Sequence, residues 1–170
     1  MKTSQKGINA IKHYESRNDN NLSLIGLQPK MDPKGIWTSG YGHAIVVNGK
    51  FLVGAANQAL AYQFALADEA AAEKLLAIDL THFEGQIDSL HLRLTQDQFD
   101  ALVSFIYNLG FAALLGSTLL KRIKADLGPE LITEAFLMWN RCGGAVLPGL
   151  TYRRQTEALL FTTGELKFFN

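Results

Sequence analysis

Asp32-Pro-Lys-Gly-Ile-Trp-Thr-Ser-Gly-Tyr-Gly-His43 sets an acid, a turn, a hydroxyl and several glycines into one short stretch. Asp32-Pro33-Lys34-Gly35 carries a turn signal: proline presets one dihedral and glycine supplies a positive φ. Ile36 to Thr38 then reads as a short strand. Gly40 and Gly42 interrupt the next one, which predicts close approach by another backbone or a ligand. Asp32 and Thr38 thus lie at opposite ends of one tight turn, near enough to share a water. Asp-Pro turns are common and need no chemistry, so a second carboxylate matters. Glu15 lies upstream, where the first helix (Ser4 to Tyr14, capped by Thr3 or Ser4) runs out. A carboxyl at a helix end facing a carboxyl on a hairpin is the minimum apparatus for splitting a glycosidic bond.

Outward from this stretch the chain alternates clear signals with silence. Ile8 and Ile11 mark the buried face of the first helix, with Glu15 one turn on. Ser16 to Asn21 is polar and aperiodic, a loop; Leu22 to Met31 has no decisive pattern. Tyr41 to Val47 and Lys50 to Val53 predict paired strands turning at Asn48-Gly49. A short helix is predicted over Ala56 to Leu66. Asp68 then caps a long one with Ala72, Leu75, Leu76, Leu80, Phe83, Ile87 and Leu90 on its apolar face, and Gly85 weakens it slightly. Thr95-Gln-Asp-Gln98 is a capping box. It opens a core helix through Phe99, Leu102, Val103 and Ile106, closed by Gly110. Ser117 begins a short helix ending before Gly128-Pro129. Glu130 to Asn140 carries Leu131, Ile132, Ala135, Phe136 and Trp139 on one face, and Gly143 and Gly144 break it. Pro148 opens the last helix, through Phe161.

These elements predict an α+β, mainly helical chain of one domain over residues 1–170. A small β-sheet lobe with the first helix covers about residues 1–66. A linking helix covers about 68–90, and an all-helical lobe about 91–170.

The chain's 170 residues, 48% of them hydrophobic, suit one main core. Formal charge is zero but unevenly spread: residues 1–55 carry seven Lys/Arg against three Asp/Glu, residues 56–116 two against eight, and residues 117–170 seven against five. Basic ends favour an anionic polymer, although a solvated surface with a basic and an acidic side has the same composition. Cys142 is the single cysteine, which excludes an intramolecular disulfide and a cysteine metal cluster and fits a reducing compartment. Met1 to Glu15 has no apolar core of a signal peptide, and no apolar run approaches transmembrane length. No Walker motif, dinucleotide fingerprint or His-Glu-x-x-His spacing occurs. The expectation is a soluble monomer without cofactor, metal, nucleic-acid partner or membrane anchor.

Glu15, then Asp32 and Thr38 six residues apart, then Gly-Tyr-Gly-His43 resemble the Glu-Asp-Thr site of phage lysozymes, the endolysins of glycoside hydrolase family twenty-four. Further blocks resemble the same family: Ala72 to Leu80, Leu94 to Gly110, Ser117 to Leu120, Trp139-Asn140 and Gly143 to Arg154. The resemblance runs from about Thr3 to Gly164. It implies a two-lobed lysozyme fold and cleavage of the β-1,4 bond between N-acetylmuramic acid and N-acetylglucosamine in peptidoglycan. It also implies a separately encoded holin, which would let the enzyme pass from the host cytoplasm to the periplasm. One departure is plain: Glu15 and Asp32 are further apart in sequence than in the short family members.

The resemblance assigns roles residue by residue. Glu15 is the general acid, which must keep its proton until the leaving oxygen takes it. Asp32 is the general base, holding a water with the Thr38 hydroxyl. That predicts inversion, with carboxyls roughly 6.5–9.5 Å apart. Asp79 matches the position that pairs with His43, tying sheet to long helix. Arg153 matches an arginine that reaches back toward the acid, whereas Arg154, one residue on, should point elsewhere; an Arg-Arg pair on such a helix is usually solvated. Tyr41 and Asn108 are candidates to line the substrate cleft, while Trp139 fits a core pattern better. Two other readings compete. One is a lytic transglycosylase, which has no use for an Asp-held water. The other is an inactive peptidoglycan-binding or structural module on the same fold, with no chemical reason to keep all three residues.

Overall fold

The computed structural model describes residues 1–16, 27–32 and 34–170. Arg17 to Asn21 of the expected loop, Leu22 to Gly26 of the undecided stretch that follows it, and Pro33 of the turn signal lie outside the described residues, while Ser16 of that loop ends the first helix. Eight helices are described: α1 (Gln5–Ser16), α2 (Gln58–Ala61), α3 (Glu69–Asp88), α4 (Gln96–Leu109), α5 (Phe111–Leu115), α6 (Thr118–Lys124), α7 (Pro129–Leu137) and α8 (Pro148–Thr163). The strands are short: β1 (Lys30–Met31), β2 (Trp37–Ser39), β3 (His43–Ala44), β4 (Val46–Val47), β5 (Lys50–Phe51), β6 (Arg141–Cys142) and β7 (Ala145–Val146). The class is the expected one, α+β and mainly helical. The chain forms two compact units, Glu15–Asp79 and Met1–Tyr14 with Leu80–Asn170. Their boundary falls inside α1 and inside α3.

In the unit Glu15–Asp79, β1, β2 and β3 form an antiparallel sheet in that order, with Lys30 opposite Thr38 and Thr38 opposite Ala44. β4 and β5 pair as a second ribbon, Val46 opposite Phe51 and Val47 opposite Lys50. Asn48 (φ 52°) and Gly49 (φ 75°) make its two-residue turn, the geometry this dipeptide favours. The single strand expected over Tyr41 to Val47 is split at Ile45, whose N–H donates to Trp37 O and whose carbonyl accepts from Leu52. Trp37, Ile45, Leu52 and Ala61 form the core. The helix expected over Ala56 to Leu66 is one α-turn flanked by 3₁₀ turns at Ala55–Asn57 and Tyr62–Phe64.

The other unit is built on α4. Phe99, Ala101, Leu102, Val103, Phe105 and Ile106 are fully buried, and α4 packs on α8, which packs on α7. Phe105 meets Phe136 and Trp139 edge-on at 5.7 and 5.6 Å between ring centroids, an arrangement aromatic quadrupoles prefer. The capping box is present: Thr95 Oγ1 accepts from Gln98 N, and the Gln98 side chain accepts from Thr95 N. The first helix, through Tyr14, belongs to this unit. The sequence reading grouped it with the first lobe, but Ala10, Ile11 and Tyr14 are buried. Ser4 N–H donates to Asp100 at 2.9 Å, and the Tyr14 and Thr156 hydroxyls are 2.6 Å apart.

Three details depart from expectation. Leu131, assigned to the apolar face of α7, is exposed, while Ile132, Ala135 and Phe136 are buried. α5 follows Gly110 directly, an apolar run too short to show a period. Gly143-Gly144 does more than end a helix: it turns the β6–β7 hairpin, so this unit is not wholly helical.

Glu84 occupies the buried face of α3, amid the apolar positions, and holds the N-terminal segment. Its carboxylate accepts from Lys2 Nζ at 2.8 Å, Thr3 N at 2.8 Å and Thr3 Oγ1 at 2.9 Å. Burial works to raise its pKa, but the hydrogen bonds from Lys2 and Thr3 and the Lys2 charge together hold it below the ordinary 4.5. A carboxylate depressed in the folded state stabilises the fold above its unfolded value and loses that contribution as pH falls through the folded one. Urea midpoints measured from about pH 5 downward should therefore fall, and Glu84→Gln should lower the midpoint at neutral pH and flatten that descent.

Candidate active site

Asp32 leaves β1 and starts the turn to β2. Its N–H donates to Ile36 O at 2.8 Å and its carbonyl accepts from Gly35 N at 2.9 Å, closing the turn with Gly35 at φ 81°. Oδ1 accepts from the N–H groups of Lys34 and Ile36, both at 2.8 Å. The carboxylate is thereby fixed by its own turn, as aspartate side chains often are. Oδ2 takes no bond from any described residue. Thr38 stands in mid-β2, and its hydroxyl donates to Lys30 O at 3.3 Å. Lys30 is opposite Thr38, and side chains two apart on a strand share a face. Asp32 follows β1 two residues past the partner of Thr38, the offset that in a regular ladder belongs to diagonal neighbours on one face, roughly 7–8 Å apart.

That arrangement suits one chemical task. With its proton given to Lys30 O, the Thr38 oxygen is left to accept, and so is Asp32 Oδ2. A water donating one hydrogen to each keeps a lone pair free for an electrophile. Glu15, in the last turn of α1 and half-buried, falls in the same unit as Asp32 and Thr38.

The strand carrying Thr38 is anchored to the start of α3. At Gly40 it is the positive φ of 60° that calls for glycine, since a Cβ there would lie at ordinary contact distance, 3.5 Å from Leu66 and Leu75 and 3.9 Å from Ala72 Cα, rather than in the expected close approach. Tyr41 is buried and its hydroxyl donates to Glu69 at 3.2 Å. Little of its ring is left for a sugar, so packing displaces the expected cleft-lining role. His43 Nδ1 lies 2.8 and 3.0 Å from the two Asp79 carboxylate oxygens, the expected pair. Trp37 is a core residue whose Nε1 donates to Gly54 O at 2.8 Å.

In the helical unit a charged network connects α4 and α8. Glu157 is fully buried and accepts from Ser104 Oγ at 2.7 Å, Arg153 Nε at 3.2 Å and Arg154 Nη2 at 3.1 Å. Arg153 also donates to Ser104 O at 3.2 Å. Arg154 donates to Asn108 Oδ1 at 3.1 Å and lies over the Phe105 ring at 4.9 Å. The expectation that Arg154 is solvated is overturned: it is fully buried, with a carboxylate, an amide oxygen and an aromatic face each meeting its guanidinium. Asn108 is exposed, with its carbonyl oxygen held by that arginine. Ser104 and Glu157 escaped the sequence reading, although Arg153-Arg154-x-x-Glu157 has the i, i+3 and i, i+4 spacing of helical ion pairs.

Among the described residues no three His, Cys, Asp or Glu side chains are placed to hold a metal ion. No helix there is long and apolar enough to cross a membrane.

One unit with a small antiparallel sheet and one helical unit built on a buried central helix make up the plan of a lysozyme fold, and solved structures agree. The endolysin from Escherichia coli O157:H7 phage FAHEc1 superposes with a TM-score of 0.75 at 30% identity, over 98% of this chain and 97% of that one. The muramidase domain of SpmX from Asticaccaulis excentricus gives 0.74 at 30% identity, over 95% and 98%. The phage lysozyme family model matches residues 24–157, and the chain belongs to that family. The endolysin of Bacillus phage B103 is 38% identical over 168 residues, 98% of this chain but 56% of that relative. The chain thus spans little more than half the length of that endolysin.

Proposed function

We propose that the chain hydrolyses the β-1,4 bond between N-acetylmuramic acid and N-acetylglucosamine in bacterial peptidoglycan. The observation that carries this reading is the Asp32–Thr38 pair: one carboxylate oxygen fixed by the turn, the other open beside a hydroxyl whose own proton is committed. Glu15 gives its proton to the glycosidic oxygen as the bond to the anomeric carbon breaks. The water held by Asp32 and Thr38 adds to that carbon from the opposite face and passes a proton to Asp32. Water is consumed, one reducing end is made, and solvent restores both carboxyls. Family membership and the names of the endolysin and muramidase relatives support the substrate class. By the same likeness the protein acts in host lysis as a monomer, waiting in the cytoplasm until a separately encoded holin lets it reach the periplasm.

Digestion of purified peptidoglycan tests this directly. Every new glycan end should be reducible by borohydride, and proton NMR of the first products should show the α-anomer, the inverted configuration. Non-reducible 1,6-anhydro ends would instead mark a transglycosylase. An initial β-anomer would replace the held water by a covalent intermediate on Asp32.

A further inference from the structure

Glu15 is carried by the last turn of α1, where a helix holds its residues least firmly. The final carbonyls of a helix have no intrahelical donor, and its ends fray. An acid that must meet one glycosidic oxygen needs fixing there from outside the helix, because a misplacement of about 1 Å can cost about a hundredfold in rate. Such fixing is present at the two residues immediately before it. Tyr14 is buried. The Thr156 hydroxyl gives its proton to Lys167 O at 2.7 Å. The Tyr14 hydroxyl therefore directs its own proton to Tyr152 O at 3.0 Å and Thr156 Oγ1 at 2.6 Å. The His13 ring stacks on Phe168, with centroids 3.9 Å apart and planes 14° from parallel.

Lys167 and Phe168 belong to the segment that follows α8. That segment also reaches the first turn of α1, where Lys6 Nζ donates to Gly164 O at 2.9 Å, so it touches the helix at both ends. Burial of Ala10 and Ile11 fixes the axis of α1 but leaves its final turn free to unwind. The hydroxyl chain from Tyr14 through Thr156 to the Lys167 carbonyl opposes that unwinding one residue before the acid. Glu15 projects about 100° round the helix from Tyr14, so the anchor directs it without touching it. We propose that Tyr14, seated on Thr156, is a positioning residue for Glu15, setting the last turn of α1 so that the acid meets the leaving oxygen. This role rests on Glu15 being the proton donor.

Rates on two substrates are the test: a muramyl oligosaccharide, and a muramyl glycoside whose phenolic leaving group needs little protonation. Tyr14→Phe and Thr156→Val should each lower kcat on the oligosaccharide by about tenfold with KM unchanged, and lose much less on the phenolic glycoside. Thr156→Ser, which keeps the hydroxyl, should restore the oligosaccharide rate. The ratio of the two rates is independent of how much of a variant is folded, so lost stability cannot mimic this result. Equal deficits on both substrates, or none on either, would overturn the positioning role. So would a Thr156→Ser variant as slow as Thr156→Val. Glu15→Gln separates the failures. If it cleaves as fast as the unmodified protein, the acid assignment falls and the role of Tyr14 with it. A slow Glu15→Gln beside a fully active Tyr14→Phe removes the positioning role alone.

Discussion

Glu15→Gln is expected to slow glycan cleavage by about 10²–10⁴-fold, the span that loss of a positioned proton donor produces, with little change in melting temperature. Glutamine matches glutamate in size and sits in the same last turn of α1, but it has no proton to give. Leaving-group dependence separates an acid from a residue that merely supports the site. A muramyl glycoside with a phenolic leaving group needs little protonation, so the Glu15→Gln deficit should shrink on it. Asp32→Asn should behave oppositely. The asparagine Oδ1 can still accept from Lys34 and Ile36 N–H, so the turn stays closed, but the water loses its base and the deficit persists on both substrates. Equal cleavage of peptidoglycan by Glu15→Gln and the unmodified protein would remove Glu15 from the chemistry. Glycan binding without cleavage by either would favour the inactive module.

What the sequence disclosed, and what it hid, follows from the range of the interactions. Thr95 and Gln98 cap α4 through bonds three residues apart, and Asn48-Gly49 needs only its own dihedrals, so both were legible locally. Pro148 opening α8 belongs with them. Ile45 splitting a strand was not legible, because the split depends on its bonds to Trp37 and Leu52. The burial of Arg154 was hidden for the same reason: its acceptor Asn108 and the ring of Phe105 come from α4, some fifty residues earlier in the chain. Tyr41 looked like a ligand platform until Glu69 supplied a partner for its hydroxyl. Among the site candidates, Asp32 and Thr38 were placed by turn chemistry. Glu15 rested on resemblance, since a glutamate at a helix end carries no local signature of catalysis. His43 and Asp79 likewise needed the family pattern, because their pairing crosses from sheet to helix.

Glu157→Gln should have the reverse profile, a large loss of stability with the chemistry kept at permissive temperature. Two guanidiniums, Arg153 and Arg154, converge on this one buried carboxylate, and the Ser104 hydroxyl donates to it as well. Removing the anion from such a cluster leaves two buried cations without that counter-charge, a change that typically costs about 3–5 kcal/mol. At about 2–4 °C per kcal/mol for a chain of this size, melting should fall by about 6–20 °C. The comparison that isolates charge from packing is Arg153→Met and Arg154→Met with Glu157→Leu, which replaces all three charges by hydrocarbon. A buried ionic cluster repays little more than its own desolvation, so the triple variant should recover much of what Glu157→Gln loses, a non-additivity expected of residues in contact. Asn108→Ala should cost about 1–3 kcal/mol although Asn108 is exposed, because its oxygen accepts from the buried Arg154 guanidinium. If Glu157→Gln melted with the unmodified protein, the network would be a passenger on the α4–α8 packing. If it melted early but lost cleavage at low temperature too, Glu157 would be positioning a group that the reaction uses, and Arg153 would be the first residue to test.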